Sequence, residues 1–227
     1  MQPDVNDSKS GSRNEDARRE RVANALLDRL LGVGIDGAGK VPSAQQTAER
    51  ALRRADGDIE RAVDDIVSAH TRLAGVGGFV TGFGGFVTLA VALPVNVVEF
   101  YIIATRMVAA IAAVRGHDVR QDQVRTSVLL TLAGNDATKV LAKAGVGAVS
   151  GRLTSLALRP LPTSALMVIN KGVAFRLIVR AGQRTLVRFG RMIPLVGGVL
   201  GGAFDVYLVR RIAKNGKRQF PRLGHVM

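Results

Sequence analysis

Residues 74–98, AGVGGFVTGFGGFVTLAVALPVNVV, run for 25 positions without a charged side chain. A stretch this long and apolar is long enough to cross a bilayer as a helix. In water it must instead be buried in a folded domain. Its glycines narrow the choice further. Gly77, Gly78, Gly82, Gly84 and Gly85 fall within nine residues, and Gly78 and Gly82 form a GxxxG pair. That spacing lets a second helix approach backbone to backbone. Pro94 then kinks the segment or splits it in two. A second stretch of the same character, MIPLVGGVLGGAFDVYLV at 192–209, repeats the spacing in Gly197/Gly201 and Gly198/Gly202. The two form a rough internal echo without a strict repeat. Gly78, Gly82, Gly85, Gly197, Gly198, Gly201 and Gly202 are therefore expected at helix contacts.

Charge separates the chain into two parts. Residues 1–70 hold 11 Lys/Arg and 13 Asp/Glu, whereas the remainder holds 21 Lys/Arg and 5 Asp/Glu. Beyond Asp136 the one acidic side chain is Asp205. The apolar part of the chain is thus also the basic part, a pairing suited to anionic lipid or another acidic partner. There is no cysteine, which excludes disulfides, thiolate metal sites and a cysteine nucleophile. The first 20 residues lack the apolar core of a secretory signal, so an intracellular N-terminus is expected.

The expected fold class is mostly α. It is a helical bundle with two Gly-rich, glycine-zipper apolar segments and an amphipathic helical N-terminal region. Apolar residues are 47% of the chain but aromatics only 4%, and small aliphatic side chains suit close helix packing. Residues 1–13 read as a disordered tail, 14–72 as the amphipathic region, 73–222 as the Gly-rich domain and 223–227 as a tail. In the front region, Val22, Leu26, Leu27, Leu30 and Leu31 mark one helix, and residues 32–42 a loop. Ser43 caps a helix ending near Arg54, and Asp58 caps the next, with Ile59, Ala62, Val63, Ile66 and Val67 on one face. A three-helix adaptor is an available reading of this region. Further on, Gln121–Ala133 and Leu166–Phe189 read as helices.

Two constellations stand out. Asn96, Glu99 and Arg106 share a helical face inside apolar sequence, where unpaired charge is costly. Either they form an internal ion pair that sets packing, the commoner outcome, or they bind a headgroup, an ion or a partner. Asp205 is expected to pair with an arginine, and Arg106 is the candidate. The second constellation is Arg176, Arg180, Arg184 and Arg188, at four-residue spacing. With Arg191, Arg210 and Arg211 it is expected to contact anionic lipid or a partner, since no acid lies near it in sequence. A plain solvated face is the alternative.

Other chemistry finds little support. Nucleic-acid binding is disfavoured, because aromatic stacking residues do not interleave the basic stretches and no reader motif is present. GGFVTGFGG lacks the order and the lysine of a phosphate-binding loop. His70, His117 and His225 are far apart, and Ser127, Ser155 and Ser164 have no nucleophile-elbow context. No metal, cofactor or enzymatic role is expected.

The blocks GFVTGFGGFVTLAVALPVN, ATRMVAAIAAVRGHDVRQDQVR and INKGVAF…GRMIPLVGGVLGGAFD together resemble the EcsC family. The resemblance covers roughly residues 60–220. It rests on the Gly-rich run into Pro94, on Arg106, on the Gly116-His117-Asp118 turn and on the segment from Pro194 to Asp205. The sequence departs from the family in reading Ala-Val-Ala-Leu before Pro94, where an acidic residue often stands. The family takes its name from an operon that encodes an ABC transporter. The resemblance implies a helical, membrane-linked protein and supplies no reaction. The function expected is a membrane-associated accessory or scaffold protein on the cytoplasmic side, binding anionic lipid or a transporter-type membrane partner. It is either peripheral or inserted as a hairpin. The alternative is a soluble bundle enclosing a fatty acyl chain, with Arg106 or Lys171 at its carboxylate end. A hydrolase using Glu99 or Asp205 is a distant third. The oligomeric state is left open.

Overall fold

The computed structural model describes residues 5–76, 95–146, 161–189 and 194–224, with side chains over 14–74, 97–146, 161–180 and 205–224. The regular elements among them are helical: α1 (Val5–Asp28), a π-helix (Arg29–Asp36), α2 (Ala44–Arg54), α3 (Ile59–Val76), α4 (Val95–Val114), α5 (Asp122–Ala133), a 3₁₀ turn (Gly134–Asp136), α6 (Ala137–Lys143), α7 (Thr163–Phe189) and α8 (Pro194–Gln219). The chain is therefore the mostly helical bundle that its composition implied.

α4 is the centre of that bundle. The π-helix, α2, α3, α5 and α8 all pack against it. Val98, Ala104, Met107, Val108, Ala109, Ala110, Ile111 and Ala112 are each fully buried, and they cover every side of the helix. A helix apolar all round has two stable settings, a membrane or the inside of a protein. Val97–Val114 is long and apolar enough for the first, yet 83% of it is buried within this structure. Its alanines explain how five neighbours fit: a helix with methyl side chains allows close axes on several sides at once. One buried cluster runs from Ala23 and Leu26 of α1 through α4 to Phe220 beyond α8.

Local chemistry sets the element ends. Ser43 caps α2 through a reciprocal box: its Oγ accepts from the Gln46 amide, and the Gln46 side chain accepts from the Ser43 amide. Asp58 Oδ1 accepts from the Arg61 amide at the start of α3. At the end of α4 the chain reverses at Gly116, whose φ of +91° is cheap only for glycine.

Three elements run differently from the sequence reading. α1 begins at Val5 rather than Asn14, so the expected tail is partly helical. Once its Val22–Leu30 half is packed, extending a helix upstream needs no new nucleation. Residues 32–36 are not loop but the second half of the π-helix, because Gly34 and Ile35 are buried against the core. Finally, the expected boundary at residue 72 falls inside α3, and α2 and α3 both pack on α4. The front region and the later helices share one core.

Gly34 shows how tight that core is. A Cβ there would sit 3.0 Å from both Cβ and Cγ2 of Thr105, whereas Gly32 has open space around it. Gly34→Ala should cost about 1–3 kcal/mol in urea unfolding by overpacking the π-helix against α4. Gly32→Ala should leave stability unchanged or slightly raised. Equal midpoints for the two variants would contradict this packing.

Candidate functional site

α4 carries its polar groups into the core. Glu99 and Arg106 are each more than nine-tenths buried, but they do not pair. Arg106 Nη2 donates to the Val33 carbonyl at 3.1 Å, closing a backbone acceptor of the π-helix. Its Nε meets no partner among the described residues, and neither does Glu99 Oε1. Burial holds the Arg106 guanidinium down to about 10, which still leaves it charged at neutral pH. Burial alone pushes the Glu99 carboxyl above its ordinary range. His70 of α3 completes the group. Its Nδ1 donates to the Ile66 carbonyl at 2.8 Å. Burial, then the positive charge of Arg106, hold it down to about 4. The described contacts of Arg106 do not include Asp205, which is itself engaged. Val33, remote in sequence, provides the acceptor instead. The Asn96 side chain lies outside the described residues.

A second buried arginine was not anticipated. Arg115, at the end of α4, places Nη2 2.8 Å from both carboxylate oxygens of Glu60. Its Nη1 donates to the carbonyls of Lys217 and Phe220 at 2.6 and 3.0 Å. His117 bonds the Pro221 carbonyl and stacks edge-on to Phe220. These contacts tie α3, α4 and the end of α8 together. The one signal in the sequence was an arginine directly before the Gly116 turn, where unsatisfied helix carbonyls gather.

The arginine stripe divides. Arg176 and Arg180 are half-buried and turn inward to Asp136, with Nη1 at 3.5 Å and Nη2 at 2.7 Å from its two oxygens. Lys139 reaches the same carboxylate at 4.0 Å. Arg176 and Arg180 are thus paired with an acid about 40 residues upstream, which proximity in sequence does not reveal. The side chains of Arg184 and Arg188 lie outside the described residues, as does Arg191.

α8 is organised differently. Val209, Ile212, Ala213 and Gly216 face the core, and Lys217 pairs with Asp64 of α3. Arg210, Arg211, Lys214 and Arg218 share the opposite, exposed face, with no ion pair among the described residues. Exposed Tyr207 stands at the head of that face. Of the expected packing glycines, Gly78, Gly82 and Gly85 lie outside the described residues. Gly197, Gly198, Gly201 and Gly202 lie within α8, in its stretch without described side chains. Among the described glycines, Gly34 lies close on Thr105, Gly172 on Val140 and Gly37 on the backbone of Val41–Ser43. No group of three or more His, Asp or Glu able to hold a metal occurs among the described residues.

Fold and surface thus define a helical bundle with a buried polar centre and a cationic outer helix. The family model that matches, the EcsC protein family, covers residues 36–223, and the chain belongs to that family. The match begins ahead of α2, so α2 and α3 lie within it and α1 lies before it. No curated protein and no solved structure matches the chain.

Buried His70 and buried Glu99 make opposite contributions to stability against pH. Between pH 6.5 and 4 the unfolded chain takes up a proton at His70 that the folded chain refuses, so stability falls with acid. His70→Gln should remove a loss on the order of 3 kcal/mol across that interval. Above the ordinary 4.5 of a glutamate the folded chain retains a proton that the unfolded chain releases, so Glu99 lowers stability as pH rises. Glu99→Gln should therefore be more stable than the parent at pH 7 and equal to it at low pH. Urea midpoints from pH 4 to 7 that shift in parallel for parent and both variants would contradict these assignments.

Proposed function

We propose that this chain is a membrane-associated accessory protein that docks on anionic lipid at the cytoplasmic face of a membrane through its basic C-terminal half. The observation that carries this reading is the outer face of α8. Arg210, Arg211, Lys214 and Arg218 project from one side of a helix whose other side is locked into the core. They lack ion pairs among the described residues, so docking on phosphates breaks no internal bond. Each such cation near an anionic surface contributes about 1 kcal/mol. Four together change occupancy about a thousandfold.

The burial of α4 supports a surface position over a crossing by that helix. Its outward-facing side chains already have protein around them, and moving it into lipid would discard five packed interfaces. The glycine spacings at 78–85 and 197–202 fit helix packing, and we assign them to it rather than to binding. The acyl-enclosing alternative has less behind it. The cleft between α1 and α7 is open, and Arg106 is already engaged with Val33.

Sedimentation with vesicles tests the reading. The chain should pellet with vesicles containing phosphatidylglycerol, and not with pure phosphatidylcholine, at low salt. Arg211→Glu/Lys214→Glu should weaken binding at least tenfold, and added salt should mimic the variant. A parent chain that stays in solution with the anionic vesicles sinks the lipid reading. Capture by protein-containing membranes alone would point instead to a transporter-type protein partner on the same face.

A further inference from the structure

α7 is apolar on two sides: Leu166, Ile169, Val173, Ala174 and Leu177 are buried in the core, and a second apolar face is left outside. Among the described residues, seven large apolar side chains are exposed, and four of them, Met167, Val168, Phe175 and Val179, lie on α7. Their spacing puts them on one face. Half-buried Ile178 continues that face into the cleft shared with α1. Meanwhile Arg176 and Arg180, which water would accept without cost, point inward to Asp136. The buried apolar side chains and the pairs to Asp136 agree on a rotation that leaves the second apolar face outside.

α7 itself carries cations and no acid: between Thr163 and Phe189 stand Lys171, Arg176, Arg180, Arg184 and Arg188. Arg18 and Arg19 of α1 stand beside Phe175 and Ile178 at the cleft, together with Glu15, which pairs with Arg19. Lys171 is bridged to Glu20 at 2.6 Å, which fixes α1 along one edge of the face. An exposed apolar strip edged by cations is the pattern of a helix lying at a headgroup boundary. There the apolar side chains reach the acyl region while the cations meet phosphates.

We propose that the outward face of α7, centred on Phe175, inserts into the headgroup–acyl boundary of an anionic bilayer. The assignment rests on the membrane reading above and adds a second, apolar contact to the electrostatic one at α8. Charge decides between a bilayer and a second copy of the chain. Two copies, each with a formal net charge of +14, repel as they approach, whereas an anionic surface attracts the chain.

The chain has no tryptophan, so one introduced indole reports its own position. Phe175→Trp should give an emission that shifts to the blue on addition of phosphatidylglycerol vesicles, and that brominated acyl chains quench. Gln45→Trp, on exposed α2, should do neither. Phe175→Ser/Val179→Ser, at positions already exposed, should keep the parent circular dichroism. It should also lose at least tenfold of the vesicle binding that survives high salt. If the chain binds vesicles while the F175W indole stays unshifted and unquenched, the α7 assignment is wrong and the α8 reading stands. A blue shift that follows protein concentration without vesicles would show a second copy as the occupant and overturn the assignment. No vesicle binding by the parent chain would remove the membrane reading and this assignment together.

Discussion

The structure depends on keeping α4 out of water. Its twenty residues are apolar nearly all round, and no single neighbour can cover such a helix. The π-helix, α2, α3, α5 and α8 share the task, and this division explains much of the rest. The front helices cannot form a detached module, because α2 and α3 each cover a side of α4. α8 cannot be a free basic tail, because Gly216 lets it lie against Val108 and Ile111. Fully burying a valine, isoleucine or methionine contributes about 1.5–3 kcal/mol, and α4 buries several in succession.

The same constraint explains the polar groups. Arg106 and Arg115 sit where α4 meets places at which neighbouring backbones end or turn: the π-helix at Val33, and the end of α8 at Lys217 and Phe220. Each guanidinium satisfies carbonyls that would otherwise be orphaned in a dry interior. Glu99 has no such task among the described residues. It remains a buried carboxyl held toward its neutral form. The chemistry of this protein, on the proposed reading, is on the outside: cations of α8 and the apolar side of α7.

Much of this was open to inference from sequence where the signals are local. Ser43 and Gln46, Asp58 and the Gly116 turn mark element ends through contacts within a few residues. The helical class followed from small aliphatic residues, and the family from ordered blocks. The failures are of another kind. Arg176 and Arg180 find Asp136 across about 40 positions, Arg106 finds Val33 across 73, and Arg115 finds Glu60 across 55. No periodicity encodes such partners, because the topology creates them. The pairing of Arg176 and Arg180 was hidden for the same reason. Arginines at four-residue spacing suggest an outer face until a distant carboxylate turns them inward.

The central claim is that α4 is a protein-buried core helix and that the membrane is met by other surfaces. Hydrogen–deuterium exchange on the purified chain in detergent-free buffer tests this most directly. The amides of Val97–Val114 should exchange among the slowest in the molecule, at a rate set by global unfolding, with or without vesicles. Fast exchange of α4 in buffer, slowed only when lipid is added, would contradict the account and place that helix in the bilayer.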